Sequence, residues 1–251
     1  DGSLYISGVT SGNLNGQTIS GIYDGFIIKL DRDGNEQWTK LFDTPDETKV
    51  VLSAGNDGSL YLSGYTKGGD LNSKPNNGGK DAYIIKLDSN VNEQWTRVFG
   101  TSSDDEAAEN IHINSDGSLY LYGYTEGNLN SEINKGDKDV FIIKLDSNGN
   151  EQWTKLFGTP EEEKASYIDV SNNSIYLSGY TGGNLNGEIN NGKEDAFVIK
   201  LDKNGNEQWT KLFGSNMSDA ANAASLGNDQ SIYLSGYTEG NLNSEINKGD
   251  K

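Results

Sequence analysis

Residues 139–157 decide the fold: Asp139-Val140-Phe141-Ile142-Ile143-Lys144-Leu145-Asp146-Ser147-Asn148-Gly149-Asn150-Glu151-Gln152-Trp153-Thr154-Lys155-Leu156-Phe157. Two runs of β-branched and aromatic residues flank a short polar segment, which predicts two strands and a hairpin. Asn148-Gly149 marks the turn, because these residues tolerate φ > 0. Side chains alternate between the faces of a strand. Phe141, Ile143 and Leu145 therefore share one face, and Ile142 and Lys144 the other. Trp153, Lys155 and Phe157 oppose Leu156 in the same way. Apolar groups on both faces call for a sheet covered on both sides.

The hairpin recurs. Trp38, Trp95, Trp153 and Trp209 lie 57, 58 and 56 residues apart, each after Asn-Glu-Gln. Asp24, Asp81, Asp139 and Asp195 open the preceding run at the same intervals. A Tyr-rich run begins at Leu4, Leu60, Leu119, Ile175 and Ile232, and residues 124–138 recur unchanged as 237–251. Self-similarity at this period indicates a solenoid, propeller or array. Each repeat reads as four short strands, A to D. Strand A is the weakest (Val50-Val51-Leu52, Ile111-His112-Ile113, Tyr167 to Val170, and an Ala-rich version at 221–226). Strand B is Tyr-rich, C opens on Asp, and D carries Trp. The expected repeats are 1–47 (B-C-D), 48–106, 107–163, 164–219 and 220–251 (A-B), in one region spanning 1–251. One hairpin departs, with Val91 where the others have Gly. A β-branched residue resists φ > 0, so either that turn differs or the Gly position needs no positive φ.

Composition agrees with an all-β chain. Hydrophobic residues are 33% and Gly numbers 32, a balance suited to many short strands and turns. The 24 Phe, Trp and Tyr at fixed spacing argue against disorder. A net charge of −18 disfavours phosphate backbones and anionic lipid as partners. No cysteine is present, which excludes a disulfide scaffold and thiolate metal sites. No apolar run reaches the roughly 20 residues of a membrane helix.

The chain resembles the bacterial β-propeller repeat family known as SBBP repeats. The resemblance rests on Tyr176 through Thr181, on Asp195-Ala196-Phe197-Val198-Ile199-Lys200-Leu201, and on Asp202-Lys203-Asn204-Gly205 leading to Trp209. It covers the whole chain and recurs about four times. It implies a β-propeller of four-stranded antiparallel blades in an extracytoplasmic bacterial protein, secreted or at the cell surface, and supplies no catalytic residues. Seventeen expected strands are one more than four blades use, so an open or longer array is favoured over a closed four-bladed ring. An unpaired terminal strand would recruit another chain.

Strands alternate in direction, so the B–C and D–A connections share one end of each blade. The B–C loops are long, as at 125–138, and loops of that length are often functional. Candidate ligand or partner contacts are Asn13, Asn15, Asp24, Asn72, Asp81, Asn128, Asn130, Asp139, Asn184, Asn186 and Asp195. For the four aspartates the favoured role is to accept backbone N–H bonds at the entry to strand C. The D–A connections read as acidic loops: Asp46-Glu47, Asp104-Asp105-Glu106 and Glu161-Glu162-Glu163. Trp38, Trp95, Trp153 and Trp209 are expected in the core between blades. His112 reads as a packed or hydrogen-bonded side chain.

No catalytic set is evident, and no cofactor is called for. Calcium is the one ion considered, and the Asp31-to-Glu36 turn fails the EF-hand pattern, with Gly at position four and Phe42 at twelve. The expected function is a non-enzymatic binding or scaffolding module with a protein or polysaccharide partner. The alternatives are a lectin-like or glycan-active propeller and a structural spacer or filament subunit that self-assembles through its terminal strands.

Overall fold

The computed structural model describes residues 2–19, 22–42, 47–55, 57–171, 173–229 and 231–249. The chain is all-β, and the described residues contain no helix. In chain order the strands are β1 (Leu4–Thr10), β2 (Asp24–Leu30), β3 (Glu36–Phe42), β4 (Glu47–Thr48), β5 (Val51–Ala54), β6 (Leu60–Lys67), β7 (Lys80–Leu87), β8 (Glu93–Phe99) and β9 (Asp105–Ile113). They continue as β10 (Leu119–Thr125), β11 (Asp139–Leu145), β12 (Glu151–Phe157), β13 (Glu163–Ser171), β14 (Ser174–Thr181), β15 (Asp195–Asp202), β16 (Glu207–Phe213), β17 (Asp219–Leu226) and β18 (Ile232–Thr238).

The chain divides into two units, Asp1–Asn110 and Ile111–Lys251. The first holds the sheet β1-β2-β3 and the sheet β4-β6-β7-β8, in which β5 also pairs with β6. The second holds β13-β14-β15-β16 and the pair β17-β18. The remaining sheet has the order β12-β11-β10-β9, and the chain passes from the first unit into the second within β9. Among the described residues the pairings between these strands are antiparallel, and within each sheet sequence neighbours pair, except that β4 and β5 both pair with β6, as an A-B-C-D meander with a divided strand A requires.

Strand A begins earlier than its apolar residues suggest. Asp105, Glu163 and Asp219 are its first residues, so the acids at 105, 106 and 163 are strand rather than loop. The reason is backbone pairing: Glu163 N–H donates to the Lys138 carbonyl at 2.7 Å and Asp219 N–H to the Glu194 carbonyl at 2.8 Å. Asp46 lies outside the described residues, and Glu47 belongs to β4. Strand A bulges opposite the Gly of strand B, between Ala165 and Tyr167 and between Ala221 and Ala223. A Cβ on Gly179 would lie 1.9 Å from the Lys164 carbonyl oxygen, so the bulge leaves room only for glycine.

The C–D turns are alike in all four repeats. Each closes with an N–H···O bond back to the Asp, from Gly34, Val91, Gly149 or Gly205 at 2.9–3.0 Å. A register shift follows in each hairpin, as between Lys144 and Leu145. Val91 keeps the geometry with φ 65°, close to 84°, 74° and 81° at Gly34, Gly149 and Gly205. Burial offsets the strain: Val91 sits in the core of the first unit with Ile27, Leu62, Leu71, Tyr83 and Leu87.

Both faces of the central strands are buried, as the doubly apolar pattern requires. Val140, Phe141, Ile142 and Ile143 are fully enclosed in β11, and Phe197 and Ile199 in β15. The outer ends of the D strands are exposed: Glu36, Glu93, Glu151 and Glu207, with the Gln that follows each.

Candidate functional site

The B–C loops do not stand free of the sheets. Each makes a two-residue turn, Leu14↔Gln17, Leu71↔Lys74 and Leu129↔Glu132, that folds back toward strand D of its own repeat. Leu71, Leu129 and Leu185 are buried. The next residue, Asn15, Asn72, Asn130 or Asn186, takes a left-handed conformation with φ 47–50°, which Asn tolerates. Its Nδ2 donates to a Thr hydroxyl of strand D, at 2.9 Å for Thr39 and 3.0 Å for Thr96, Thr154 and Thr210. In three repeats it also donates to the glutamate opening strand D, Glu36, Glu93 or Glu151. The Oδ1 of Asn13, Asn128 and Asn184 accepts the N–H of Ile19, Asn134 and Asn190. These loop asparagines, expected as ligand contacts, spend their polar atoms on holding the loop down.

Among the residues the loops leave in solvent is one large aliphatic side chain. Ile133 and Ile189 are 71% exposed and Ile246 is 72% exposed, all at one position, the centre of Glu-Ile-Asn. Glu132 is fixed beside Ile133 by Lys155 at 2.8 Å, and Glu188 beside Ile189 by Lys211 at 2.7 Å. The sequence reading passed over these isoleucines. The available signal was a large aliphatic residue repeated among turn-forming polar residues.

The strand-opening aspartates are buried, with Asp24 2% exposed and Asp81, Asp139 and Asp195 fully enclosed. Oδ2 of Asp81, Asp139 and Asp195 accepts the N–H of the residue four earlier, Asn77, Lys135 and Asn191, at 2.7, 2.9 and 3.0 Å. Each carboxylate rests on a glycine that follows strand D. A Cβ on Gly100, Gly158 or Gly214 would fall 2.0–2.7 Å from the carboxyl atoms of Asp81, Asp139 or Asp195. The acid that opens the next strand A lies at the same junction: Glu163 N–H bonds the Lys138 carbonyl at 2.7 Å and Asp219 N–H the Glu194 carbonyl at 2.8 Å, one residue before Asp139 and Asp195, and Asp105 accepts the N–H of Thr101, next to the Gly100 on which Asp81 rests. Burial pushes Asp81 up from 3.8 to about 6, and the charge of Asp105 adds to it. Burial likewise raises Asp139, Glu163 and Asp195, with Asp139 acting on Glu163 and Asp219 on Asp195. The acid position of the second repeat holds Thr48, paired with Thr66.

Registry lines up Tyr of strand B, Lys of C and Trp of D, as in Tyr120↔Lys144↔Trp153. Tyr and Trp rings lie 6.1–6.4 Å apart in all four repeats, and the lysine stands 5.4–5.5 Å above the Tyr ring. The tryptophans are half-buried at the margin of the core; Trp38 packs against the first unit's cluster from outside.

His112 lies in the second unit, half-buried, edge-on to Tyr120 and 3.7 Å from Asp169. Burial lowers its pKa, and Asp169 opposes the shift. A hollow of about 330 Å³ in the same unit is lined by Asp116, Tyr120, Lys144, Asn173 and Lys203. The turn carboxylates considered for calcium are engaged locally: Asp31 accepts from the N–H groups of Asp33 and Asn35 and from the Asn35 amide. Among the described residues no group of three or more His, Cys, Asp and Glu side chains could hold a metal ion.

No family model matches the chain. Over 189 residues, 67% of its length, it is 28% identical to the regulatory protein FlaEY of Caulobacter vibrioides, and the match covers 19% of that relative. A protein of unknown function from Bacteroides caccae aligns over 76% of this chain and 77% of its own, at 10% identity and a TM-score of 0.28.

Proposed function

We propose that this chain is a non-enzymatic binding module, a propeller-type array of four-stranded blades that holds a protein partner at repeated loop positions. The observation that carries the reading is the threefold exposure of Ile133, Ile189 and Ile246 at one loop position. Single exposed aliphatic residues are ordinary. Recurrence at the same point of three loops is not, because the loops that carry Ile133 and Ile189 otherwise bury their leucine and latch their asparagine to strand D. Equivalent weak contacts on one chain bind a repetitive partner far more tightly than one alone. The meander of A-B-C-D sheets, buried on both faces, supports the propeller reading and the resemblance to SBBP repeats, and with that resemblance a secreted or surface location. The charge of −18 favours a partner with basic groups around its apolar contact.

The test compares the wild-type chain with the variant Ile133→Ser, Ile189→Ser and Ile246→Ser. Both are immobilised and exposed to surface and secreted proteins of the source cells. A partner held by the wild type and lost in steps as isoleucines are replaced, at unchanged Tm, supports the reading. Equal capture by both chains, or millimolar or tighter binding of one sugar on a glycan array, overturns it.

A further inference from the structure

The three buried carboxylate pairs are Asp81 with Asp105, Asp139 with Glu163, and Asp195 with Asp219. Each pair joins the start of a strand C to the start of the next strand A. Both members are enclosed: Asp81, Asp105, Asp139, Glu163 and Asp195 are 0% exposed and Asp219 1%. One oxygen of each aspartate accepts a backbone N–H, and Glu163 is engaged at both oxygens. The Oδ2 of Asp105 and Asp219 accepts the N–H and hydroxyl of Thr101 and Ser215; Glu163 Oε2 accepts the Thr159 N–H and its Oε1 the hydroxyls of Thr159 and Thr181. The Oδ1 atoms of Asp81, Asp139, Asp195 and Asp219 are buried without a hydrogen-bond partner.

The lysines next to the first two pairs each meet another acid. Lys80, beside Asp81, is held at 2.5 Å by Glu106 and lies over the Tyr65 ring. Lys138, beside Asp139, turns to Glu162 at 3.6 Å and to the Tyr124 ring. Lys135 donates its backbone N–H to Asp139, and burial outweighs its charge there. The charge of Asp219 adds to the effect of burial on Asp195. Two facing carboxylates removed from water cannot both remain charged without a large cost.

We propose that each of these three buried pairs holds one proton at mildly acidic pH, so that the junctions between successive repeats are locked there and loosen as the pH rises. The proton comes from solvent and returns to it. Asp81, raised from 3.8 to about 6, gives the sign. Between those values the folded chain binds more protons than the unfolded chain, so stability falls as pH rises through the window and stays lower above it. The first junction, with Thr48 in the acid position, is the built-in exception.

The test is urea unfolding at about pH 5 and about pH 8 of the wild type and of the variant Asp81→Asn, Asp139→Asn and Asp195→Asn. Asn keeps the acceptor for the backbone N–H and carries no titratable charge. The wild-type midpoint should drop at the higher pH. The variant should lose most of that drop and exceed the wild type at the higher pH. An equal drop in both would assign the effect to overall charge and overturn the proposal. So would a calcium-dependent rise of the wild-type midpoint that the variant lacks, which would place a cation in the pairs. Should the variant not fold, infrared spectroscopy of the wild type decides: a protonated-carboxyl band at neutral pH, sensitive to deuteration, supports the pairs, and its absence overturns them.

Discussion

Asn130 Nδ2 donates to Thr154 Oγ1 at 3.0 Å, joining the B–C loop to the middle of strand D, 24 residues later. Thr154 passes the interaction on, donating to Glu151 Oε1 at 2.7 Å while Asn130 also reaches Glu151 Oε2. Repeats one and two contain the same Asn-Thr-Glu triangle, Asn15-Thr39-Glu36 and Asn72-Thr96-Glu93. The leucine before each Asn, buried at Leu71 and Leu129 and half-buried at Leu14, is seated by this latch.

Asn130→Ala should destabilise the second unit by about 2 kcal/mol, roughly 1 for the lost hydrogen bonds and roughly 1 for a Cβ residue at φ 48°. Asn130→Gly should cost less, since it keeps the conformation and loses only the bonds. Chemical denaturation of both variants checks the order. Equal costs would show that the backbone conformation contributes nothing.

Val91→Gly sets two effects against each other. Relief of the left-handed strain is worth about 1 kcal/mol, and loss of the buried isopropyl group costs about 1.5–3 kcal/mol. The variant should therefore be less stable by about 1 kcal/mol, the reverse of what the turn sequence alone suggests. A higher denaturation midpoint for Val91→Gly would mean that the side chain contributes little to the cluster.

The hairpin, the four-strand repeat and the two-sided burial were legible because each rests on local alternation and turn chemistry. Asp81, Asp139 and Asp195 were legible as acceptors of backbone N–H groups for the same reason. The pairing of those aspartates with Asp105, Glu163 and Asp219 was not, since it arises only where two repeats meet in space. The acids at 105 and 163 read as solvated loop because charge usually means solvent, and nothing local reveals an inter-strand bond such as Glu163 N–H to Lys138. The fold-back of the B–C loop was hidden for a related reason: Leu129 looks like an incidental apolar residue until strand D is beside it.

Trp95→Ala should cost about 2 kcal/mol, less than the 3–5 kcal/mol of a sealed core position, because the ring is half-buried. Its contacts are the Tyr61 ring at 6.2 Å and the Arg97 guanidinium at 5.4 Å. Tyr61→Leu should remove part of the same energy, so the double variant should cost less than the sum. Strict additivity in a double-mutant cycle would show that the Tyr–Lys–Trp stripe is not an energetic unit.

His112 should give a pH dependence opposite to that of the acid pairs. Burial lowers its pKa from 6.5, and the opposing charge of Asp169, 3.7 Å away, only partly offsets this. Below that ordinary value the unfolded chain takes up a proton that the folded chain accepts reluctantly, so this group removes stability as the pH falls. The acid pairs add stability over the same descent. His112→Gln abolishes the imidazole titration and leaves the carboxylates intact. Relative to wild type it should therefore become more favourable at about pH 5 than at about pH 8, read as the difference in urea midpoints. A difference that is constant with pH would mean that His112 titrates alike in both states, and a change in the opposite direction would mean that Asp169 outweighs burial and holds the ring as a cation.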